Sequence, residues 1–268
     1  MPANTAHPAF PQPTDPAIKI WRYMDFAKYV AMLKDRSLHF RRVDTFDDPF
    51  EGSLSKNEFD RLSRRAQAGE TEGRLPLSWR GKYLDILLGN ARRSRKECYA
   101  NCWHMNPIES EAMWRLYSAS EYAIAIVSTY ACLAECLPSA FPADKVADHM
   151  RPYLGVVTYK DHHRDSFPTD NAFYPIMHKR SAFEHEHECR AVIWRVAKGD
   201  WPDGVPDFIL DNYPAGLNVP VPLESLILEV IVSPSAPPWF AEVVADSTAR
   251  YGFGFLVQQS SLVCQPYL

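Results

Sequence analysis

The apolar positions of this chain change period several times, and each change marks an element. Ile18-Lys19-Ile20-Trp21-Arg22-Tyr23 alternates and is rich in β-prone residues, which predicts a strand. Asp25 follows as a helix cap, with Phe26, Tyr29, Val30 and Leu33 recurring at helical spacing. Ser37 to Val43 returns to a strand pattern. Thr45-Phe46-Asp47-Asp48-Pro49-Phe50-Glu51-Gly52 is a turn segment, because Pro49 cannot continue a helix and Asp47 or Asp48 can bond nearby amides. From Ser55 to Glu97 the chain loses β-branching and gains Arg, Lys, Glu, Leu and Ala, predicting a helical insertion of two or three helices broken around Gly69 to Gly73. Cys98 to His104 predicts a short strand, Glu109 to Ser118 a helix presenting Met113, Trp114 and Tyr117, and Tyr122 to Val127 a buried strand before a helix from a Ser128 cap to Leu137. Tyr153 to Tyr159 reads as a strand and Tyr174 to Phe183 as a helix, with the period switching from helix to strand within Glu184 to Val196. Strands near Val219 to Pro222, Leu226 to Val232 and Phe253 to Gln259 accompany a helix from Pro238 to Tyr251 that carries proline in its first turn. This irregular interleaving predicts an α+β fold: a central mixed β-sheet flanked by helices, with the helical insertion in the first half.

Composition sharpens that picture. In 268 residues, 46% are hydrophobic and 13% aromatic, enough to fill a sizeable core and to exclude disorder for most of the chain. Pro2, Pro8, Pro11, Pro13 and Pro16 block helix and ladder bonding, so 1–17 reads as a flexible or draped tail ahead of a single domain, 18–268. Apolar runs such as Tyr122 to Val127 fall far short of the ~20 residues a bilayer needs, so no membrane span is expected. The proline-rich start has no basic region followed by an apolar run, and six Cys in such a chain suggest reduced thiols in a cytoplasm. A net charge of −4 argues against coating by nucleic acid. The basic runs Arg61, Arg64, Arg65 and Arg92, Arg93, Arg95, Lys96 would reach phosphates, but the interspersed Glu70, Glu72, Asp85 and Glu97 make a solvated helix face the default. The phosphate-binding loops, dinucleotide glycine fingerprint, zincin helix and nucleophile elbow are all missing from the sequence.

The densest chemistry lies in Lys179-Arg180-Ser181-Ala182-Phe183-Glu184-His185-Glu186-His187-Glu188-Cys189-Arg190. If extended, this segment puts Glu184, Glu186, Glu188 and Arg190 on one face and His185, His187 and Cys189 on the other. Three carboxylates at two-residue spacing raise at least one pKa unless Lys179, Arg180 or Arg190 neutralises them, which prepares an acid, a base or a ribose-binding group. The plain alternative is a strand edge blunted by charge. The opposite face has zinc-ligand residue types but no partner motif, so no metal is assigned to it. Asn101-Cys102-Trp103-His104 and Glu109-Ser110-Glu111-Ala112-Met113-Trp114 place two indoles and an imidazole around a loop-to-helix junction, suited to a nucleotide or nicotinamide ring. As plain core anchors, Trp103 and Trp114 need no ligand, and Trp114, at helical spacing with Tyr117, fits that role best.

Trp21-Arg22-Tyr23, Phe40 through Asp47-Asp48-Pro49-Phe50-Glu51-Gly52, the two indole segments, and Lys179-Arg180 through Phe183, Glu186, Glu188 and Arg190 together resemble a bacterial family known as domain of unknown function 2971. The family usually has Asn where Asp47 stands, and Trp or Tyr near Phe183 and His185. A looser similarity is to ADP-ribosyltransferase-like folds, in the order Arg22 and His39, then Asn101 to His104, then Glu186 or Glu188. That similarity implies an enzyme acting on NAD or another nucleotide, by ADP-ribosyl transfer or glycohydrolysis, in bacterial stress or phage defence. Glu188 would be catalytic with Glu186 as its helper, stabilising a cation-like sugar. Arg22, Tyr23, His39, Asn101, Trp103, His104, Trp114, Lys179, Arg180 and Arg190 would bind the ligand. NAD enters as substrate and no cofactor is assigned. The alternatives are a non-catalytic ligand-sensing or toxin-neutralising protein, with Glu186, Glu188 and Arg190 as an internal salt-bridge ladder, and a metal-dependent nuclease using Asp47, Asp48, Glu186 and Glu188.

Overall fold

Side-chain caps fix the starts of four helices. The structure, a computed structural model, describes residues 3–73, 76, 79, 81–118, 120–137, 152–168, 171–195 and 213–263. Strand β1 (Lys19–Asp25) ends at Asp25, whose carboxylate accepts the Lys28 N–H at 2.8 Å and starts α1 (Phe26–Asp35). Arg36, with φ 46°, closes α1 and turns the chain into β2 (Ser37–Arg42). Beyond the Asp48–Gly52 turn, Ser55 caps α2 (Lys56–Thr71), and α3 (Tyr83–Glu97) feeds directly into β3 (Cys98–Met105). Ser110 caps α4 (Glu111–Tyr117). Strand β4 (Ala123–Thr129) runs into α5 (Tyr130–Cys136) with Thr129, not Ser128, as the cap.

The next stretch departs from the sequence reading. The strand expected over Tyr153 to Tyr159 divides into β5 (Tyr153–Val156) and β6 (Thr158–Lys160), because the amides change partner: Val157 donates to Glu188 O and Thr158 to Met177 O. The helix expected over Tyr174 to Phe183 shrinks to α6 (Phe173–Ile176). It gives way to β7 (His178–Arg180), which pairs in parallel with β6, Lys179 opposite Tyr159. A 3₁₀ turn, Ser181–Glu186, and a left-handed His187 at φ 39° then lead into β8 (Glu188–Trp194). The segment expected to alternate from Glu184 is therefore extended only from Glu188, and Val196 lies outside the described residues. The last third supplies β9 (Gly216–Pro220), α7 (Leu223–Leu226), β10 (Glu229–Val232), α8 (Pro238–Arg250) with Pro238 at its first position, and β11 (Leu256–Gln259).

Among the described residues these strands form a nine-stranded mixed sheet, flanked by helices, in the order β11-β10-β4-β1-β3-β2-β9, with β8 on the other edge of β3 and β5 beyond it. Only β10 and β11 run parallel within it. On one edge β3 lies against the whole of β8, while the other edge is shared, β1 pairing at Trp21–His104 and β2 at Arg41–Ala100. The sheet forks between those two pairings. One face carries Ile20, Leu38, Phe40, Tyr99, Trp103, Ile124 and Ile126 under helices α1, α5, α7 and α8. The opposite face has two apolar patches: Trp21, Tyr23, Val127 and Ile231 under α4, and Cys98, Ala100 and Val192 under Phe173, Ile176 and Met177. Between those patches stand His104, opposite Glu188, and Cys102, opposite Arg190.

The proline-rich start is draped on the β5 edge. Ala3 donates to Ala134 O, Asn4 bridges Tyr153, and Val156 donates to Pro11 O. Phe10 is buried with its ring 5.1 Å from that of Tyr153, and Gly155 allows the approach, since a Cβ there would lie 2.7 Å from the Phe10 Cα. Among the described residues no helix is long and apolar enough to cross a membrane.

Candidate functional site

The gap between the two apolar patches holds a buried ionic cluster. Arg190 on β8 is fully buried; its Nε and Nη2 donate to Glu188 at 2.5 and 3.0 Å, Nη2 donates to Glu51 Oε1 at 3.0 Å, and Nη1 donates to Ile176 O at 2.6 Å. Lys179 on β7 reaches Glu186 at 2.8 Å and Glu51 and Glu188 at 3.2 Å each. Glu51 arrives from the Asp48–Gly52 turn, where Asp48 Oδ1 accepts the Phe50 N–H. The same Asp48 carboxylate accepts from Arg180 Nε and Nη2 at 3.0 and 2.8 Å, which anchors the turn to the end of β7. Gly52 follows at φ 68°, where a Cβ would meet Ile176 Cδ1 at 2.8 Å and Arg95 Cγ at 3.0 Å.

Tyrosines and a histidine complete the shell. Tyr117 donates to Glu186 Oε2 at 2.9 Å, and the Tyr159 hydroxyl accepts the Glu188 N–H at 2.8 Å. His104 Nδ1 lies 2.6 Å from Glu186 O, and because a carbonyl only accepts, that nitrogen carries the hydrogen and leaves Nε2 buried without a partner. Three carboxylates thus face two cations at short range. Burial alone would raise the Glu188 pKa, but Arg190 and Lys179 overrule it and hold the carboxyl down to about 2. Burial opposes the charge on Lys179 and Arg190 too, and the surrounding carboxylates, Glu188 foremost, push both pKa values above their ordinary range instead. Burial pushes the Cys102 thiol up, and neighbouring Glu188 adds to it, so this Cys is a neutral packing group. Burial likewise lowers His104, favouring the neutral ring.

The residues singled out in the sequence divide into three groups. Glu186, Glu188, Lys179 and Arg190 meet in the cluster, with Arg180 and His104 at its margin. Tyr23 and Trp114 pack edge to face at 4.8 Å under α4, where the Tyr23 hydroxyl accepts the Ser110 N–H and Trp114 Nε1 donates to Glu109. Arg22, His39, Asn101 and Trp103 gather at the fork: Arg22 Nη2 and Asn101 Nδ2 both donate to His39 O, and Trp103 Nε1 donates to Asn101 Oδ1 at 2.6 Å. Trp103 pairs with Cys189 and His104 with Glu188, so the Trp103 indole and the Glu188 carboxylate project from opposite faces of the sheet. Arg22 and Trp103 serve the fork, and the acidic pair is elsewhere.

Glu184 and the imidazoles of His185 and His187 are exposed, and Cys189 is buried in the core on the far face, so the alternating arrangement of that segment is replaced by the 3₁₀ turn. Asp47 pairs with exposed Arg41, away from the cluster, and among the described residues no group of three or more His, Cys, Asp or Glu is placed to hold a metal ion. Sequence reasoning missed Glu51 as the third carboxylate, as well as Tyr117 and Tyr159 in the shell. It also missed Glu109, whose buried carboxylate gathers Ser260, Ser261 and Trp114 and stays below the usual carboxylate range because those hydrogen bonds outweigh burial. The one available signal was Glu51 closing the Asp-Pro-Phe-Glu-Gly turn. The chain matches no family model, no curated protein and no solved structure.

Proposed function

We propose that this chain is a non-catalytic binding module for a nucleotide-like small molecule, in which Glu186 and Glu188 are architectural. The observation that carries this reading is the internal commitment of Glu188: Oε1 takes Arg190 Nε, Oε2 takes Arg190 Nη2 and Lys179, and the side chain is buried. A general acid must hold a proton near neutral pH, and a carboxyl held down to about 2 holds none. A ribose-orienting carboxylate needs a face open to the sugar, and here the apolar patches and the two cations occupy its surroundings. The fork residues add no second wall for NAD beside it, since Trp103 is buried on the far face.

Two measurements on the full chain test this together. Glu188→Gln is expected to lower the melting temperature by roughly 10 °C, because it leaves Arg190 and Lys179 short of a counter-charge in a buried site. Incubation of the wild type with NAD is expected to release no more nicotinamide than buffer does. A variant that melts with the wild type while abolishing a nicotinamide release seen in the wild type would overturn the reading.

A further inference from the structure

On the other side of the Glu51 turn lies a cavity of about 480 Å³, bounded by that turn, the start of α2, the last turns of α3 and the loop carrying His162. Its size suits a small molecule. We propose that this cavity binds a phosphorylated molecule with a planar ring, Arg92, Arg95 and His162 holding the phosphoryl group and Phe50 and Phe59 flanking the ring. The proposal rests on the ligand-binding reading above and names its site and its chemistry.

The wall is cationic: Lys56, Arg92 and Arg95 line it, and among the described residues no Asp or Glu does. Those cations are not equally engaged. Lys56 pairs with Asp60 at 2.7 Å along α2, and the neighbouring Arg93 is bound to Glu97. Arg92 and Arg95 have no ion-pair partner among the described residues, and Arg95 Nε is buried without an acceptor. Two guanidinium groups three positions apart on one helix repel each other unless an anion stands between them.

His162 supplies the independent observation. It is 3% exposed and lines the cavity, yet its Nε2 is buried without a partner. Its Nδ1 faces Lys160 O at 3.4 Å, and a carbonyl only accepts, so the neutral ring presents a bare lone pair at Nε2. Because that nitrogen is sealed from the cavity here, the ring has to turn for a protonated phosphoryl oxygen to supply the hydrogen that this lone pair lacks. The same loop fixes the start of α2, since Lys56 N donates to His162 O at 2.8 Å while Ser55 caps the helix beside the cavity. The N-terminal end of this 16-residue helix adds its positive dipole to the site. On the apolar side, Phe50 packs against the His162 ring at 6.0 Å, and Phe59 is 41% exposed at the rim, where a partner ring would cover it.

The test is calorimetric titration of the full chain with AMP, adenosine and inorganic phosphate, which separates the ring from the anion. AMP is expected to bind more tightly than either fragment. The Arg92→Met/Arg95→Met pair and His162→Gln are each expected to weaken AMP by about 10- to 100-fold, the worth of a charge-assisted hydrogen bond. Phe59→Ala, at a position too exposed to unfold the protein, is expected to weaken AMP several-fold and leave phosphate unchanged; with the single variant at exposed Arg92 it carries the test should the pair fail to fold. Failure of the wild type to bind both AMP and phosphate overturns the proposal, as does AMP binding that ignores every one of these changes. In that last case ligand binding survives and only its location fails. Glu188-dependent release of nicotinamide instead overturns the non-catalytic reading and leaves the cavity's affinity for AMP as its own measurement.

Discussion

Two charged regions lie back to back on the Asp48–Gly52 turn, and they resolve their charges in opposite ways. In the buried cluster Arg190 and Lys179 are surrounded by Glu51, Glu186 and Glu188, and the carboxylates spend their lone pairs on those cations. In the cavity, Arg92 and Arg95 stand without acidic partners among the described residues; His162 Nε2 is unsatisfied there, as His104 Nε2 is at the cluster, so the arginines carry the contrast. A charge answered from within the chain holds the fold, whereas a charge left unanswered at a cavity waits for something from solution. The density of acidic and basic letters in the sequence points to the first region, and the second is the one with chemistry to spare.

The largest effect is expected from the closed side. Arg190→Met removes the one group that ties Glu188, Glu51 and the Ile176 carbonyl together, leaving three carboxylates, Glu51, Glu186 and Glu188, buried against a single lysine. A loss of about 3–5 kcal/mol is expected in urea unfolding, the usual result of breaking a buried pair from one side. A variant within 1 kcal/mol of wild type, by the same scale, would mean that the cluster is hydrated and not a structural clamp.

Next comes the turn that both regions share. Gly52→Ala has to hold an alanine at φ 68° and to displace Ile176 Cδ1 and the Arg95 stem from 2.8 and 3.0 Å. The two costs together come to about 2–4 kcal/mol. Because Arg95 is one of the displaced groups, the substitution is also expected to weaken AMP binding, whereas Arg190→Met, if it folds, acts on stability first. A Gly52→Ala protein of wild-type stability would show that the turn can yield and does not join the two regions.

Acid acts on both regions, in two pH ranges. Burial holds the pKa values of His104, His162 and His178 below 6.5, so the unfolded chain takes up more protons than the folded one below that value. Their contribution is complete above about pH 6.5 and declines as pH falls through the lowered folded values. Glu188, held at about 2 against an ordinary 4.5, contributes fully above pH 4.5 and loses that contribution as pH falls toward 2. The melting temperature is therefore expected to fall in two stages, with Glu188→Gln shrinking the lower one, to which Glu109 also contributes, and His162→Gln softening the upper. A single acid transition unchanged in both variants would contradict this.

The same contrast explains what the sequence could and could not show. The α1 and α8 starts were legible because Asp25 and Pro238 act on their own first turns, and the α+β class followed from the alternation of periods. Arg92 and Arg95 were visible as a basic run, but the default of a solvated helix face hid their position at a cavity, because the other walls come from His162 and Phe50 far along the chain. Glu186, Glu188, Lys179 and Arg190 of the acidic segment meet in the structure, but the segment is extended only from Glu188. Glu184 turns out to solvent on the 3₁₀ turn, and its place is taken by Glu51, 139 residues from Arg190. The helix expected at Tyr174 to Phe183 failed for a similar reason, since the β6–β7 pairing depends on strand partners that no local pattern announces.

The smallest effect is the sharpest discriminator. Arg92→Met removes a charge from the open region, three positions from Arg95 on α3, with no carboxylate to orphan among the described residues. Relief of the like-charge contact is expected to leave stability unchanged or to raise it by about 0.2–0.5 kcal/mol. AMP would then restore the ordering of the two proteins: at a hundredfold excess over its Kd it stabilises the wild type by about 2.7 kcal/mol and a weak-binding variant far less. A charge whose loss costs nothing without ligand and much with it belongs to a binding site. If Arg92→Met instead destabilises the ligand-free protein as Arg190→Met does, the arginine has an internal role, and the two regions differ in exposure alone.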